Sequence, residues 1–166
     1  MGNAVLHNHN EHIMSNKQFV LLMTAVLKNG KAFRFQASGF SMDPFIKDGD
    51  ILTLVDVSHH PIRLGNVLAF KHPHNGRLTV HRVIKRKQKT YLMKPDNGLS
   101  ADGWTTHDQV IGIVQLNERG GNKIRFGLGW EKVLIAHLSR WNFLISTIHV
   151  LWRFFPRRLK LRIKGQ

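Results

Sequence analysis

The stretch that decides the fold is residues 65–85, which read GNVLAFKHPHNGRLTVHRVIK. It holds two short runs of apolar and β-branched residues, 67–71 and 78–85, separated by a segment with Pro, Asn and Gly. Runs of this length bounded by turn-forming residues are typical of neighbouring β-strands. The stretch therefore predicts two adjacent strands of an antiparallel sheet.

Similar runs lie on both sides of this stretch. Residues 32–36 alternate between apolar and polar side chains, and further short runs occur at 51–57, 90–93 and 110–116. Gly, Pro, Asn and Asp divide them, and no helical period stands between them. This spacing predicts a mainly β domain over residues 31–126, built as a coiled or barrel-like antiparallel sheet.

One helix is predicted on each side of the β domain. Residues 15–30 form the first, because Ser15 can cap it and Asn29-Gly30 can end it. Its predicted apolar face is Phe19, Leu22, Met23 and Val26. Residues 129–155 form the second, an amphipathic helix with apolar residues at steps of four and three, namely Leu134, Leu138, Trp141, Ile145, Ile148 and Trp152.

The composition excludes several classes of protein. The chain has 166 residues, of which 42% are hydrophobic, which is enough for one domain with a buried core. It has no cysteine, which rules out disulfide scaffolds, thiol chemistry and thiolate metal sites. We expect no cofactor and no metal. The first 14 residues are polar and His-rich, without the basic start and apolar run of a signal peptide, and are predicted to be a disordered tail.

The charge is strongly positive and uneven. Lys and Arg number 25 against 10 Asp and Glu, a net charge of +15, and no acidic residue follows Glu131. Residues 156–166 form a basic tail, so residues 133–164 are expected to bind an anionic membrane surface. Nucleic acid is a less favoured partner, because aromatic residues lie among basic ones chiefly at 152–155. The predicted location is peripheral, on the cytoplasmic face of a membrane, and cytoplasmic otherwise.

A bend at residues 38–44, SGFSMDP, is the first segment with chemical potential. Gly39 and Pro44 flank Ser41, and a tight bend of this kind can expose one hydroxyl beside free backbone N–H groups. These are the requirements of an acyl-transfer nucleophile and its oxyanion hole.

Two later segments offer an acid–base partner and a carboxylate. His81 lies within an apolar strand, where an imidazole can serve as a general base. Asp96 follows Lys94-Pro95, and Asp102 comes six residues later. Either carboxylate can cap a turn, or it can orient an imidazole as the third member of a triad does.

In their order and spacing these segments resemble the superfamily of signal peptidases and LexA-type serine peptidases. Ser41-Met42 stands where the family has its nucleophile, so the resemblance implies Ser41 as nucleophile, with Gly39, Met42 and Pro44 in the nucleophile turn and the N–H of Ser41 in the oxyanion hole. His81 falls at the position of the general base. Most bacterial members have Lys there, whereas the archaeal and endoplasmic-reticulum signal peptidases have His, and this chain looks like the second type.

The resemblance covers residues 33–114 and extends to the third residue. In the Ser–His type an Asp follows a Lys-Gly-Asp-Asn-like turn by six residues, which selects Asp102 and leaves Asp96 as the alternative. Two departures stand out. Gly39 occupies the place of a Ser whose hydroxyl helps the oxyanion hole in signal peptidases, and no N-terminal membrane anchor of the signal-peptidase kind is recognised.

The resemblance implies a serine endopeptidase that cleaves an extended peptide or pre-protein through an acyl-enzyme. Two alternatives stay open. The first is a LexA-like regulatory self-cleaving domain, which is less favoured because neither Ala-Gly nor Cys-Gly, the dipeptides those domains cut, occurs in the chain. The second is a non-enzymatic basic module that binds membrane or nucleic acid, which the net charge favours.

Overall fold

The computed structural model describes residues 15–141, and these build an eight-stranded antiparallel sheet with one α-helix before it and one after it. In chain order the elements are α1 (Asn16–Lys28), β1 (Phe33–Gln36), β2 (Ile51–Val55), β3 (Val67–Lys71), β4 (Leu78–Lys87), β5 (Thr90–Lys94), β6 (Gly103–Thr106), a 3₁₀ turn (His107–Gln109), β7 (Val110–Arg119), β8 (Asn122–Ile124) and α2 (Lys132–Arg140). The prediction of a mainly β fold with a helix at each end is confirmed.

The sheet is open. Its strand order is β1-β2-β7-β3-β4-β5-β6, with β8 paired to β7, so β1 and β6 are its two end strands. Register shifts interrupt the β2–β7, β3–β7 and β4–β5 pairs. Bulges of this kind bend a strand and increase its twist. They account for a coiled sheet whose two ends do not meet.

β3 lies at the centre and is buried on both faces. Val67 and Ala69 belong to one apolar cluster, which α1 covers, whereas Leu68 and Phe70 belong to a second cluster on the other face. Successive side chains of a strand point to opposite faces, so a strand buried on both sides is continuously apolar. That is why residues 67–70 show no alternation.

The first helix is capped as predicted but buries a different face. The Ser15 hydroxyl accepts from the N–H of Gln18, and the Gln18 side chain accepts from the N–H of Ser15. Its buried residues are Val20, Met23 and Leu27. The predicted face was wrong at Leu22, which is 45% exposed. The helix is apolar on most sides, so its packing on β7, rather than its own pattern, selects the stripe that is buried.

The second helix also packs differently from its apolar stripe. Ile135, Ala136 and Ser139 are buried, while Leu134 is 56% exposed and Trp141 is 67% exposed. Leu138 of the same stripe is partly buried against Phe45 and Ile135, so the described part of the stripe is divided between the β domain and the surface. Neither α-helix within residues 15–141 has the length and apolar content that a membrane crossing needs. The predicted tail at 1–14, the predicted helix beyond Trp141 and the basic tail at 156–166 lie outside the described residues.

The strands β6 and β8 were not predicted. They have four and three residues, too few for a period of two to show in the sequence. β8 forms a hairpin with β7 across Gly120-Gly121. Short strands of this kind are fixed by the neighbour that they pair with, which the sequence does not display.

Candidate active site

The nucleophile turn connects β1 to β2 and is closed at its base. The N–H of Ala37 donates to the carbonyl of Asp50 at 2.7 Å, and the N–H of Gly49 donates to the carbonyl of Ala37 at 2.9 Å. Higher in the turn, the N–H of Gly39 donates to the Asp48 carboxylate at 2.8 Å. Gly39 has φ +94°, a left-handed conformation that a side chain disfavours. The signal-peptidase Ser is therefore replaced at a position where the backbone itself favours glycine.

The turn is also anchored from below by apolar side chains. Met42 and Ile46 are buried in the cluster that α1 covers, and Phe45 is buried against Ile135 of α2. Ser41, directly before Met42, is exposed. Burial of the next residue fixes the backbone, so the Ser41 hydroxyl is held at the surface with little freedom to move.

A buried carboxylate supports the end of this turn. Asp50 accepts hydrogen bonds from the N–H of Lys47, from the Asn117 amide and from Arg119, which donates from two nitrogens at 2.8 Å each. Burial alone raises the pKa of Asp50, but the hydrogen bonds from Arg119, Lys47 and Asn117 outweigh it and hold that pKa below its usual value. Asp50 therefore stays ionised and ties the turn to β7.

A continuous hydrogen-bond chain links a carboxylate, an imidazole and the exposed hydroxyl. His81 Nδ1 donates to Asp102 Oδ2 at 2.6 Å, and the Ser41 hydroxyl donates to His81 Nε2 at 3.0 Å. His81 lies on β4, and Asp102 lies in the loop before β6, where its N–H donates to the carbonyl of Met93 at 2.9 Å. Residues from three separate parts of the chain therefore meet at one point.

Asp96, the alternative third residue, contacts a different partner. It lies 0% exposed and binds Arg82 with both oxygens, at 2.8 Å from Nε and 2.6 Å from Nη2. Arg82 also donates to the carbonyls of Gly65 and Gly127 and packs over the ring of Phe45 at 5.3 Å. The structure thus brings Asp102, and not Asp96, to His81.

Asn97 is a site residue that the sequence analysis did not single out. Its N–H donates to the carbonyl of Ser41 at 2.8 Å, and its side-chain amide donates to the carbonyl of Phe40 at 3.2 Å. These two bonds join the loop that Asp96 anchors to the nucleophile turn. The sequence offered one signal for Asn97, which is its place directly after the candidate carboxylate Asp96 in the Lys94–Asn97 segment.

A cleft of about 740 Å³ runs beside Ser41 and His81. Gln36 and Ala37 line one wall, Leu78 and Val80 line the other, and Phe19 of α1 lies at the cleft. β1 pairs only with β2, and β4 pairs with β5 from Arg82 onward. In the described part of the chain both walls therefore offer a strand edge without a neighbouring strand, and such edges accept an added extended chain.

Two further points concern what the site can hold. Among residues 15–141, the N–H of Ser41 donates to no acceptor, so it is free to bind an oxyanion. In the same range, no three His, Asp or Glu side chains lie close enough together to bind a metal ion.

A hydroxyl, an imidazole and a carboxylate in this order define a site of the serine-hydrolase type. The chain belongs to the Peptidase S24-like family, whose model matches residues 2–114. The resemblance to the signal peptidase and LexA-type superfamily, stated from the sequence, is confirmed by this match.

Curated relatives agree with the family. The signal peptidase complex catalytic subunit SEC11C of Homo sapiens is 35% identical over 85 residues, which cover 43% of this chain and 44% of the relative. The same subunit of Mus musculus and of Canis lupus familiaris matches with the same identity and coverage. The matched region thus spans less than half the length of these relatives. Together the family and the relatives support a serine peptidase of the signal-peptidase type.

Proposed function

We propose that this protein is a serine endopeptidase that cuts an extended peptide or pre-protein through an acyl-enzyme. Ser41 is the nucleophile, His81 the general base and acid, and Asp102 the residue that orients His81. The observation that carries this proposal is the unbroken chain of hydrogen bonds from Asp102 to the Ser41 hydroxyl, at 2.6 and 3.0 Å. Membership of the Peptidase S24-like family supports the same reaction.

The geometry supports the following sequence of bonds. Ser41 Oγ attacks the carbonyl carbon of the substrate as its proton passes to His81 Nε2. The protonated imidazole then gives this proton to the leaving amine, the C–N bond breaks, and an ester on Ser41 remains. Water loses a proton to His81 and attacks the ester, which releases the acid and restores the Ser41 hydroxyl. Asp102 accepts from Nδ1 throughout and stabilises the imidazolium that forms twice in the cycle.

The cleft supports an extended substrate. A peptide strand in the 740 Å³ cleft would hydrogen-bond to the free edges beside Gln36 and Val80, with its scissile carbonyl over Ser41. The free N–H of Ser41 would then donate to the oxyanion. Substrates that bind in this way must be extended, so a folded helix is not cut.

The test is cleavage of a mixed peptide pool, with the cut sites read by mass spectrometry. Wild type is expected to cut, and Ser41→Ala and His81→Ala are expected to cut nothing above background. Ser38→Ala is the matched control, since Ser38 is an exposed serine that lines the same cleft. Cleavage that survives in Ser41→Ala, or a wild type that cuts no peptide, would contradict the proposal.

A second observation favours association with a membrane surface. We infer that residues 133–164 bind an anionic membrane, because Trp130, Leu134 and Trp141 are 87%, 56% and 67% exposed around α2 and the following sequence is basic without any acidic residue. Exposed Trp and Leu side chains suit the bilayer interface, and cations suit its anionic headgroups. The cytoplasmic face, given by the sequence, stays a prediction.

Vesicle sedimentation of the full chain tests this inference. The full chain is expected to bind vesicles that contain phosphatidylserine. This binding is expected to be weaker in Leu134→Glu and to decrease as the salt concentration rises. Leu21→Glu is the matched control, because Leu21 is 60% exposed on α1 and lies outside the inferred surface. If Leu134→Glu and Leu21→Glu lost binding equally, or if wild type bound zwitterionic vesicles equally well, the inference that residues 133–164 bind an anionic membrane would be contradicted.

A further inference from the structure

Asp102 has a second imidazole beside it. Its Oδ2 accepts from His81, while its Oδ1 lies 3.6 Å from Nε2 of His72. His72 follows β3 directly, and its side chain is 17% exposed against 12% for Asp102. The carboxylate therefore lies between two rings that come from the two arms of the β3–β4 hairpin.

The position and tautomer of the His72 ring are defined by its other contacts. Its Nδ1 accepts from the backbone N–H of His74 at 3.3 Å, so in the neutral ring the proton is on Nε2, which faces Asp102. The ring stacks on Phe70, with centroids 6.4 Å apart and planes at 24°. Phe70 also contacts the ring of His81, at 6.3 Å. One aromatic side chain thus supports both imidazoles.

We propose that His72 is a positioning residue for the acyl transfer, acting through Asp102. Its Nε2–H attracts Oδ1 and so limits rotation of the carboxylate, which keeps Oδ2 in line with His81 Nδ1. A carboxylate held by one ring alone can rotate away from it, and outer partners of this kind commonly set the geometry of a site. The inference rests on the proposed function, because it assigns His72 a role in the same reaction.

The ionisable groups around the His72 ring are Asp102, His81 and His74, with Lys71 and Arg77 flanking the ring in the chain. Asp102 is the carboxylate among these groups, and the Nε2–H of His72 faces it. Removing the His72 imidazole would leave Asp102 with the His81 ring alone.

Three variants of the full chain separate positioning from packing. His72→Phe keeps a ring that can stack on Phe70 but removes the N–H. His72→Gln retains an N–H donor without the ring, and His74→Phe is the control. His74 is exposed, its backbone N–H donates to Nδ1 of His72, and its ring lies 5.6 Å from the His72 ring, a contact that a phenyl ring at position 74 can keep. On a peptide that wild type cuts, His72→Phe is expected to lower kcat about tenfold with KM unchanged, and His72→Gln to recover most of that loss.

His74→Phe is expected to match wild type in kcat and KM. Proton NMR of the same samples needs no substrate and follows the far-downfield resonance of the His81 Nδ1–H. That resonance is expected to shift and to exchange faster in His72→Phe only. A wild-type kcat together with a wild-type resonance in His72→Phe would overturn the role of His72. A wild type that cuts nothing would count against the proposed function alone, and the resonance would still decide this inference.

Discussion

Two neighbouring residues of β4 each pair with an Asp: His81 with Asp102, and Arg82 with Asp96. The two pairs differ in exposure and in the face of the strand on which they lie. His81 binds Asp102 beside the cleft, with side chains 10% and 12% exposed, whereas Arg82 binds Asp96 with both side chains 0% exposed. Adjacent strand residues point to opposite faces, so one pair faces the cleft and the other faces α2 and the loop before it. A basic side chain paired with an Asp therefore borders the cleft on one face of β4 and joins buried elements on the other.

The basic partner of each carboxylate determines whether the pair can transfer a proton. Arg82 donates four hydrogen bonds, two to Asp96 and two to the carbonyls of Gly65 and Gly127. A guanidinium does not act as an acid or base in proteins, so this pair has no proton to exchange. An imidazole can both accept and donate a proton, and Nε2 of His81 contacts the exposed Ser41 hydroxyl. The buried Arg82–Asp96 pair anchors the loop before β6, and the same loop carries Asp102.

The largest effect is expected at His81. Under the proposed function, His81→Ala removes the base that takes the Ser41 proton, so kcat is expected to fall by about a thousandfold or more. The free energy of unfolding is expected to fall by only about 1 kcal/mol, because the ring borders the open cleft and not the apolar core. Peptide cleavage and urea unfolding of one sample measure both. A His81→Ala variant that keeps a tenth of the wild-type rate would contradict the contrast between a catalytic His81–Asp102 pair and a structural Arg82–Asp96 pair.

Asp96→Asn is expected to act on stability instead. It leaves the Arg82 guanidinium buried with a neutral partner, and breaking a buried pair costs about 3–5 kcal/mol. Asp102→Asn is the matched substitution at the other pair, where the main loss is expected in kcat. Urea unfolding of the two variants measures the contrast, and equal destabilisation by both would contradict it.

Asn97 sharpens the comparison because it joins the two pairs. Asn97→Ala removes the bond from its amide to the carbonyl of Phe40 and loosens the turn that holds Ser41. We expect kcat to fall about tenfold, equivalent to about 1.4 kcal/mol of transition-state stabilisation. Asn122→Ala is the control, since that exposed side chain bonds only to the carbonyl of Gly120. A wild-type rate in Asn97→Ala would show that the turn is rigid without it.

The smallest effect concerns Lys94, a buried cation whose hydrogen-bond partner is the Ser139 hydroxyl at 3.4 Å. Burial lowers the pKa of Lys94 below 10.5, and the charge of Asp96 offsets this only in part. The unfolded chain then binds more protons than the folded one, so Lys94 makes stability rise as pH increases toward 10.5. Lys94→Met is expected to stabilise by about 1 kcal/mol at pH 7 and to remove that rise.

Thermal unfolding between pH 7 and 10 measures this effect. Lys87→Met is the control, because Lys87 is an exposed lysine at the end of β4. A melting temperature that falls in Lys94→Met would mean that the ammonium stabilises the contact with α2. Lys94 would then resemble Arg82 as a buried cation whose contacts stabilise the fold, and the two would differ only in the number and geometry of their hydrogen bonds.

Local patterns predicted most of the strands and the first helix. Apolar runs bounded by turn residues gave β2, β3, β4, β5 and β7 within a few residues of their ends, because strand period and turn chemistry are local properties. The face of α1 and the packing of α2 were not predictable in the same way. Leu22 and Leu134 fit an apolar stripe in the sequence, yet both are exposed, since the partner surface selects the buried side.

The sequence by itself determined the candidate nucleophile, the candidate base and two candidate carboxylates, because those residue types in that order carry the family resemblance. Only the tertiary structure decided between the carboxylates. Asp96 and Asp102 stand six residues apart in one loop, but the first turns inward to Arg82 and the second outward to His81. His72 lies thirty residues from Asp102 in the sequence. Its contact exists because the hairpin and the loop before β6 close over each other, and no local pattern records a distance of that kind.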